Sequence, residues 1–243
     1  QLKAMDQLKS DFVAIVSHEL RAPVTTVSSA VEMLQDLDQP EDAGTRAEVL
    51  GLLSQQADRL RTVVEEVLQV TRLESGRLHI RLQPLPLVSF SKSLLDQLHM
   101  EWGDVEQPAI ALSGDEVLVW ADPEMLSIVF RNLLDNVRKY TPPGSPVEIK
   151  IQHVPAEDRV IIRVDDHGPG IPTDQIGFIF DKFTRGAAAG GSWTRGYGLG
   201  LYIARELLRA HNGEISAENR QDGASFVFTL CAVAQEATSQ VAL

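Results

Sequence analysis

The sequence predicts an α+β protein: an N-terminal antiparallel helical hairpin that forms a four-helix bundle with a second copy, followed by an α/β sandwich domain. Three observations carry this prediction. Apolar residues recur every three or four positions as far as Leu73, the spacing of a helix face. From Arg77 onward the texture changes to short alternating segments punctuated by proline and glycine. These later strands and helices follow one another without regular βαβ alternation, which points to a mixed sheet covered on one face by helices.

The first helix is predicted over Gln1–Leu37. Leu8, Phe12, Val16, Leu20, Val24, Val27, Val31 and Leu34 fall on one apolar stripe at about 100° per residue. Pro23 lies inside it and removes one backbone hydrogen bond, a source of a kink. Asp38–Gly44 combines acidic residues, proline and glycine and reads as a turn. A second helix is predicted from Thr45 to Leu73, with Val49, Leu53, Ala57, Leu60, Val64 and Val67 in the same spacing and Gly76 suited to its C-terminal cap. Two helices alone cannot bury both stripes, so residues 1–76 are expected to dimerise.

Residues 77–234 are expected to form the second domain. Leu78–Leu82 alternates like a strand, and Pro84 and Pro86 mark a linker. Leu87–Trp102 is predicted helical, and Ala109–Leu112 and Glu116–Trp120 are strand candidates. Asp122 caps a helix running to Tyr140, with Pro123 at its first position. Val147–His153 and Arg159–Asp165 read as a strand pair. A helix over Gly198–Ala210 and strands over Gly213–Ala217 and Ala224–Leu230 complete the domain. Residues 235–243 are polar and small and read as a loose tail.

The 243 residues carry 22 Lys+Arg against 34 Asp+Glu, a formal net charge of -12, which argues against nucleic acid or an anionic membrane as the main partner. The single cysteine, Cys231, rules out an internal disulfide framework and reads as a small buried hydrophobe. No apolar run is long enough to span a bilayer, and Gln1–Ser10 does not resemble a signal peptide. The chain begins without Met, partway along a helix, and reads as a piece of a longer protein.

Four motifs carry chemistry. In Ser17-His18-Glu19-Leu20-Arg21-Ala22-Pro23, His18 lies about 200° round the helix from Val16, away from the apolar stripe. An imidazole there is a nucleophile near neutral pH, and Glu19 beside it can take a proton. A lone helix histidine is more often structural, and Glu19 alone reads as a solvated charge. Asn132 and Asn136 share one helix face with Lys139 nearby; amide oxygens suit Mg²⁺ and the ammonium suits phosphate. Asp165-Asp166-His167-Gly168-Pro169-Gly170-Ile171 leaves a strand end. There a carboxylate can accept from an exocyclic amine, although the pattern also describes a plain turn. Gly196-Tyr197-Gly198-Leu199-Gly200-Leu201 opens a helix whose N–H groups can cradle phosphate. Its spacing matches neither a dinucleotide fingerprint nor a Walker loop. Upstream, Gly186–Gly191 reads as a mobile lid, Phe180 and Phe183 as its packed base, and Arg185 as either a phosphate contact or a solvated charge.

Taken together these residues resemble one family. Ser17–Val24 resembles the H box of the sensor histidine kinases of two-component systems, Asn132–Tyr140 their N box and Asp166–Ile171 their G1 box. Phe180–Arg185 is similar to their F box, Gly196–Leu201 to their G2 box and Gly223–Phe226 to their final glycine element. The resemblance runs from Lys9 to Leu230, in the family's order. It implies a Bergerat-type ATP-binding sandwich that uses ATP and Mg²⁺, a homodimer, and a response regulator as partner. It implies His18 as phosphoacceptor and Glu19 as its acid/base partner. Asn136 is implied as the Mg²⁺ ligand, with Asn132 and Lys139 near the phosphates. Tyr140 is implied at the base or ribose and Asp166 at the adenine amine. Gly168, Gly170, Gly196, Gly198, Leu199 and Gly200 are implied along the lid and phosphate site.

The implied activity is autophosphorylation of His18 followed by transfer to an aspartate of the regulator. The implied location is the cytoplasm, with a membrane involved only through a missing N-terminal sensor region. Ala22 departs from the family, which often carries Thr or Asn there to position water; weak phosphatase activity toward the regulator is therefore expected. Val137 and His167 are smaller departures. Two other classes remain open at this point: an ATP-hydrolysing machine of the gyrase or chaperone kind, and a non-catalytic dimeric scaffold.

Overall fold

The structure, a computed structural model, describes residues 2–36, 43–76, 78–103, 108–184 and 198–234; of the side chains in 2–20 it describes only those of Ala14, Val16, Ser17 and Leu20. The chain divides into two compact units, Gln1–Arg77 and Leu78–Leu243.

The first unit is helical. Helix α1 (Leu2–Asp36) runs without interruption through Pro23, and α2 (Ala43–Glu74) ends where Gly76 takes φ +63. Most of the expected turn at Asp38–Gly44 lies outside the described residues; Gly44 is already helical. The contact seam between the helices repeats every seven residues: Pro23 and Ala30 on α1, and Val49, Gln56, Val63 and Val70 on α2, are buried. A seven-residue repeat is the signature of supercoiled helix packing. The seam is narrower than the apolar stripes expected from sequence. Val24, Val31 and Val64, which belong to those stripes, remain exposed within one chain, as do Leu50 and Leu68.

The second unit is a five-stranded mixed sheet packed on helices. Its strands are β2 (Ala109–Ser113), β4 (Pro146–Val154), β5 (Arg159–Asp165), β6 (Ile215–Arg220) and β7 (Gly223–Cys231), in the order β2-β4-β5-β7-β6. Only β2 and β4 pair in parallel. Alternation decides which side is covered. Val147, Ile149, Val160, Ile162, Val164, Phe226 and Phe228 are buried, whereas Lys150, Gln152 and Glu218 on the other face are exposed. The buried side meets α3 (Leu87–Trp102), α4 (Pro123–Tyr140) and α5 (Gly200–Ala210). The Phe130 ring of α4 joins them, edge-on to Phe228 of β7 at 5.5 Å and to Phe90 of α3 at 6.2 Å.

A two-stranded sheet of β1 (Gln83–Pro86) and β3 (Leu118–Ala121) flanks this core. It corrects the sequence prediction, which placed a strand at Leu78–Leu82 and a linker at the prolines. The strand lies at the prolines because β1 pairs on one side only, where a residue without an N–H is tolerated. Glu116, just before β3, fastens the start of α3. Its carboxylate accepts from the backbone N–H of Val88 at 2.8 Å and of Ser89 at 2.9 Å, and from the Ser89 hydroxyl. Burial opposes its ionisation, but the Ser89 hydroxyl and the N–H groups of Val88, Ser89 and Val117 outweigh that and hold the carboxyl below the ordinary glutamate value.

Candidate functional site

Helix α4 carries the first group of candidate residues. Leu126, Val129, Phe130, Leu133, Leu134 and Val137 bury one face and so fix the other. On that other side Asn132, Asn136 and Tyr140 are half-buried, and Lys139 is exposed with its ammonium 5.9 Å from the Tyr140 ring centroid. Asp122 anchors the helix start. Its Oδ1 accepts from the N–H groups of Glu124 and Met125 at 3.0 and 3.2 Å, and its Oδ2 from that of Arg81 at 2.9 Å. The Asp122 N–H donates to Nε2 of the buried His211 at 3.1 Å, which leaves the ring proton on Nδ1, 2.7 Å from the Leu207 carbonyl. His211 thereby couples the end of α5 to the start of α4.

The second group stands at the end of β5, where two adjacent buried carboxylates have different surroundings. Asp165 is neutralised: Oδ2 lies 2.9 Å from the Arg220 guanidinium and 3.6 Å from the Lys150 ammonium, and Oδ1 accepts from the Ser225 hydroxyl at 2.6 Å. Asp166, 6% exposed, accepts two backbone N–H bonds on Oδ1, from Gly168 at 2.8 Å and Ala224 at 3.3 Å. Among the described residues no donor reaches its Oδ2. Burial pushes the Asp166 carboxyl above the ordinary aspartate value, against the pull of those two N–H bonds. Gly168 then packs against the end of α4: a Cβ there would lie 3.1 Å from the Tyr140 carbonyl oxygen. Gly170 follows in the same turn.

The third group opens α5. At Gly200 a Cβ would fall 2.9 Å from Asn132 Oδ1, so a side chain there would displace the Asn132 amide where the N-terminus of α5 approaches the polar face of α4. Gly198 takes φ +67, and its carbonyl accepts from the Phe183 N–H at 2.9 Å, which ties together the two chain ends flanking residues 185–197. Leu199 and Phe180 are buried. Arg185 and Gly196 lie outside the described residues. The structure thus gathers Asn132 with Gly200, and Tyr140 with Gly168 and Asp166, along one side of α4.

In the first unit, His18 and Glu19 belong to α1, and their side chains lie outside the described ones. One turn on, Arg21, Ala22, Thr25, Thr26 and Ser29 line an open depression of about 500 Å³. The hydroxyls of Thr25 and Thr26 donate to the carbonyls of Arg21 and Ala22 at 2.9 and 3.1 Å. Sequence reasoning missed Asn219, whose side-chain amide meets the Ile171 backbone, and His211. Both act on residues far away in the chain, and only strand and helix placement brings them to their targets.

Comparison with known proteins agrees with this architecture. Residues 8–76 match the family model of the His Kinase A (phospho-acceptor) domain, and residues 121–234 match that of the histidine kinase-, DNA gyrase B- and HSP90-like ATPases. The chain is 35% identical over 226 residues to the adaptive-response sensory kinase SasA of Synechococcus elongatus, covering 90% of this chain and 58% of that protein. The fold is shared with the Acinetobacter baumannii histidine kinase AdeS, at a TM-score of 0.70 and 21% identity over 88% of this chain and 97% of that one. It is equally shared with the histidine kinase ThkA in its complex with the response regulator protein TrrA, at a TM-score of 0.70 and 22% identity over 95% of this chain and 64% of that one. The two domains in this order, and kinase relatives aligned along nine-tenths of the chain, show that it belongs to the sensor histidine kinases of two-component systems, of which it carries the kinase core.

Proposed function

We propose that this chain is a protein histidine kinase that transfers the γ-phosphoryl of Mg·ATP to its own His18 and then to an aspartate of a separate response regulator. The observation that carries this is the convergence, along one side of α4, of amide side chains, a helix N-terminus and the Asp166 carboxylate, whose Oδ1 is held by the N–H groups of Gly168 and Ala224. Asp166 Oδ2 accepts from the adenine amine, Tyr140 lies at the base or ribose, and Gly168 and Gly170 give the turn its close approach. Asn132, Lys139 and the N–H groups at Gly198, Leu199 and Gly200 face the phosphates, with Gly196 assigned there by the family resemblance and Arg185 by its charge beside the glycine-rich segment. Among the described residues no three His, Cys, Asp or Glu side chains form a metal site. The donor that fits Mg²⁺ is the Asn136 amide oxygen, completed by phosphate oxygens and water. Bound Mg²⁺ supplies neutralisation of charge developing on the phosphate oxygens.

One ring nitrogen of His18 attacks the γ-phosphorus in line, the bond to the ADP oxygen breaks, and Glu19 takes the proton from the other ring nitrogen. Residues 1–76 serve as dimerisation and phosphoacceptor domain and 77–234 as the ATP-binding domain, with 235–243 a tail. The exposed apolar side chains of α1 and α2 favour a homodimer. The regulator docks on the first unit near His18, where the depression beside Ala22 offers a surface. ThkA, a structural neighbour, is crystallised with such a regulator. Because Ala22 has no group to orient water, phosphatase activity toward the regulator is weak. ATP use assigns the chain to the cytoplasm, and among the described residues no helix is long and apolar enough to cross a membrane.

Incubation with γ-labelled ATP and Mg²⁺ tests the proposal. Wild type acquires label and His18→Gln acquires none while binding an ATP analogue equally well. Release of free phosphate without labelled protein assigns the chain to the ATP-hydrolysing class instead, and failure to bind the analogue assigns it to the non-catalytic scaffolds.

A further inference from the structure

The turn Asp166–Ile171 is moulded by the hairpin of β6 and β7. The Asp166 N–H donates to the Ala224 carbonyl at 2.9 Å, and the Ala224 N–H returns to Asp166 Oδ1 at 3.3 Å. His167 stands with Nδ1 2.8 Å from the Pro146 carbonyl oxygen and Nε2 3.0 Å from the Asp222 carboxylate. The most specific connection comes from Asn219 near the end of β6. Its Oδ1 accepts from the Ile171 N–H at 2.7 Å, and its Nδ2 donates to the Ile171 carbonyl at 2.6 Å. One primary amide therefore satisfies both backbone groups of one residue, as a neighbouring strand would. The same amide covers the turn at Gly170, where a Cβ would lie 3.0 Å from Asn219 Oδ1.

The Asn219 side chain is not needed to hold its own strand, because β6 pairs with β7 along its length from Ile215–Phe228 to Arg220–Gly223, and Asn219 is exposed. We infer that Asn219 is a positioning residue for the nucleotide: its amide fixes Gly170–Ile171 and so the aim of the Asp166 carboxylate. The inference rests on the proposal that Asp166 receives the adenine amine. Loss of the amide leaves the sheet intact and lets the turn sample other conformations, so nucleotide binding is reduced by the fraction of time the turn is misplaced.

The test uses the full chain, with ADP binding by calorimetry, autophosphorylation kinetics and thermal melting on wild type and Asn219→Ala. The expected result is a rise of about tenfold in both the Kd for ADP and the KM for ATP, about 1.4 kcal/mol, with kcat at saturating ATP and the melting temperature at wild-type values. An unchanged Kd and KM overturns the inference, as does a fall in kcat with KM steady or a fall in binding that only follows lost stability. Asn219→Ser, which keeps a hydroxyl too short to bridge both groups, is measured in the same way and decides the matter if the alanine variant does not fold. Wild type that binds no ADP removes the nucleotide assignment and this inference with it. Wild type that binds, beside variants that bind equally well, removes the inference alone.

Discussion

The two units of this chain bury their apolar residues to different degrees. In the α/β unit the large side chains that face inward from α4 and the sheet, such as Leu133, Ile149, Ile162 and Phe228, are sealed from solvent. In the helical unit Val24, Leu50, Val64 and Leu68 keep 50, 53, 48 and 49% of their surface exposed, although they are as apolar as the residues of the buried seam. A sheet covered by helices completes its core within one chain, whereas a two-helix hairpin presents two faces and can close only one. The α/β unit buries the apolar faces of its sheet and α4 within one chain, whereas the helical unit leaves apolar residues for another surface, which we assign to a second copy.

Four variants test this difference between the units. The largest effect is expected at Asp166, the residue proposed to receive the adenine amine. Its folded carboxyl lies above the ordinary value, so burial favours the protonated form. The stability this contributes is full below the unfolded pKa and lost as pH rises through the folded one, and at neutral pH the ionised group costs stability. Asp166→Asn is expected to weaken ATP binding by about 10- to 100-fold, the loss of one hydrogen bond to a charged group, while raising the melting temperature by about 2 °C. A lower melting temperature would show the carboxylate to be structural. Next, Leu50→Glu combined with Leu68→Glu is expected to turn a dimer into a monomer by light scattering, with the melting of the α/β unit unmoved. A dimer that survives both charges breaks the comparison. Ala22→Thr supplies a hydroxyl on α1 and is expected to raise regulator dephosphorylation severalfold in the presence of ADP, leaving His18 labelling unchanged. The smallest effect is expected at Glu116. Glu116→Ala is expected to lower the unfolding free energy of the α/β unit by about 1 kcal/mol in urea titrations, as removal of a helix cap does. Because the folded carboxyl lies below its ordinary value, that stability is present above the unfolded pKa and lost as pH falls through the folded one. The gap between wild type and variant is therefore expected to close in acid.

What could be seen in the sequence was what local chemistry determines. Asp122-Pro123 announced the start of α4 because a cap and a first-turn proline act within three residues, and the structure begins the helix at Pro123. Alternation from Val147 located β4 because one face of the sheet is dry. The sequence misled where pairing overrides pattern: Leu78–Leu82 alternates without a strand to join, and Gln83–Pro86 forms one because Leu118–Ala121 lies beside it. The site divided in the same way. Asn132, Asn136, Asp166 and the glycines stood out as clustered motifs, but their supports did not. Asn219, His211 and Glu116 act across 48, 89 and 28 positions of sequence, on Ile171, Asp122 and Val88, and their roles exist only once the sheet and helices are in place. Likewise the apolar stripes of α1 and α2 signalled burial without dividing it between the seam inside one chain and the face left over.

In the proposed mechanism the phosphoryl group leaves ATP for a histidine on α1. The most direct measurement identifies the phosphorylated residue itself after a single turnover with Mg·ATP, by mass spectrometry or phosphorus NMR of protein kept at alkaline pH. One phosphoramidate per labelled chain is expected, on His18, stable in base and lost in acid. Phosphate found only free in solution, or on an acid-stable serine or threonine ester, would contradict it.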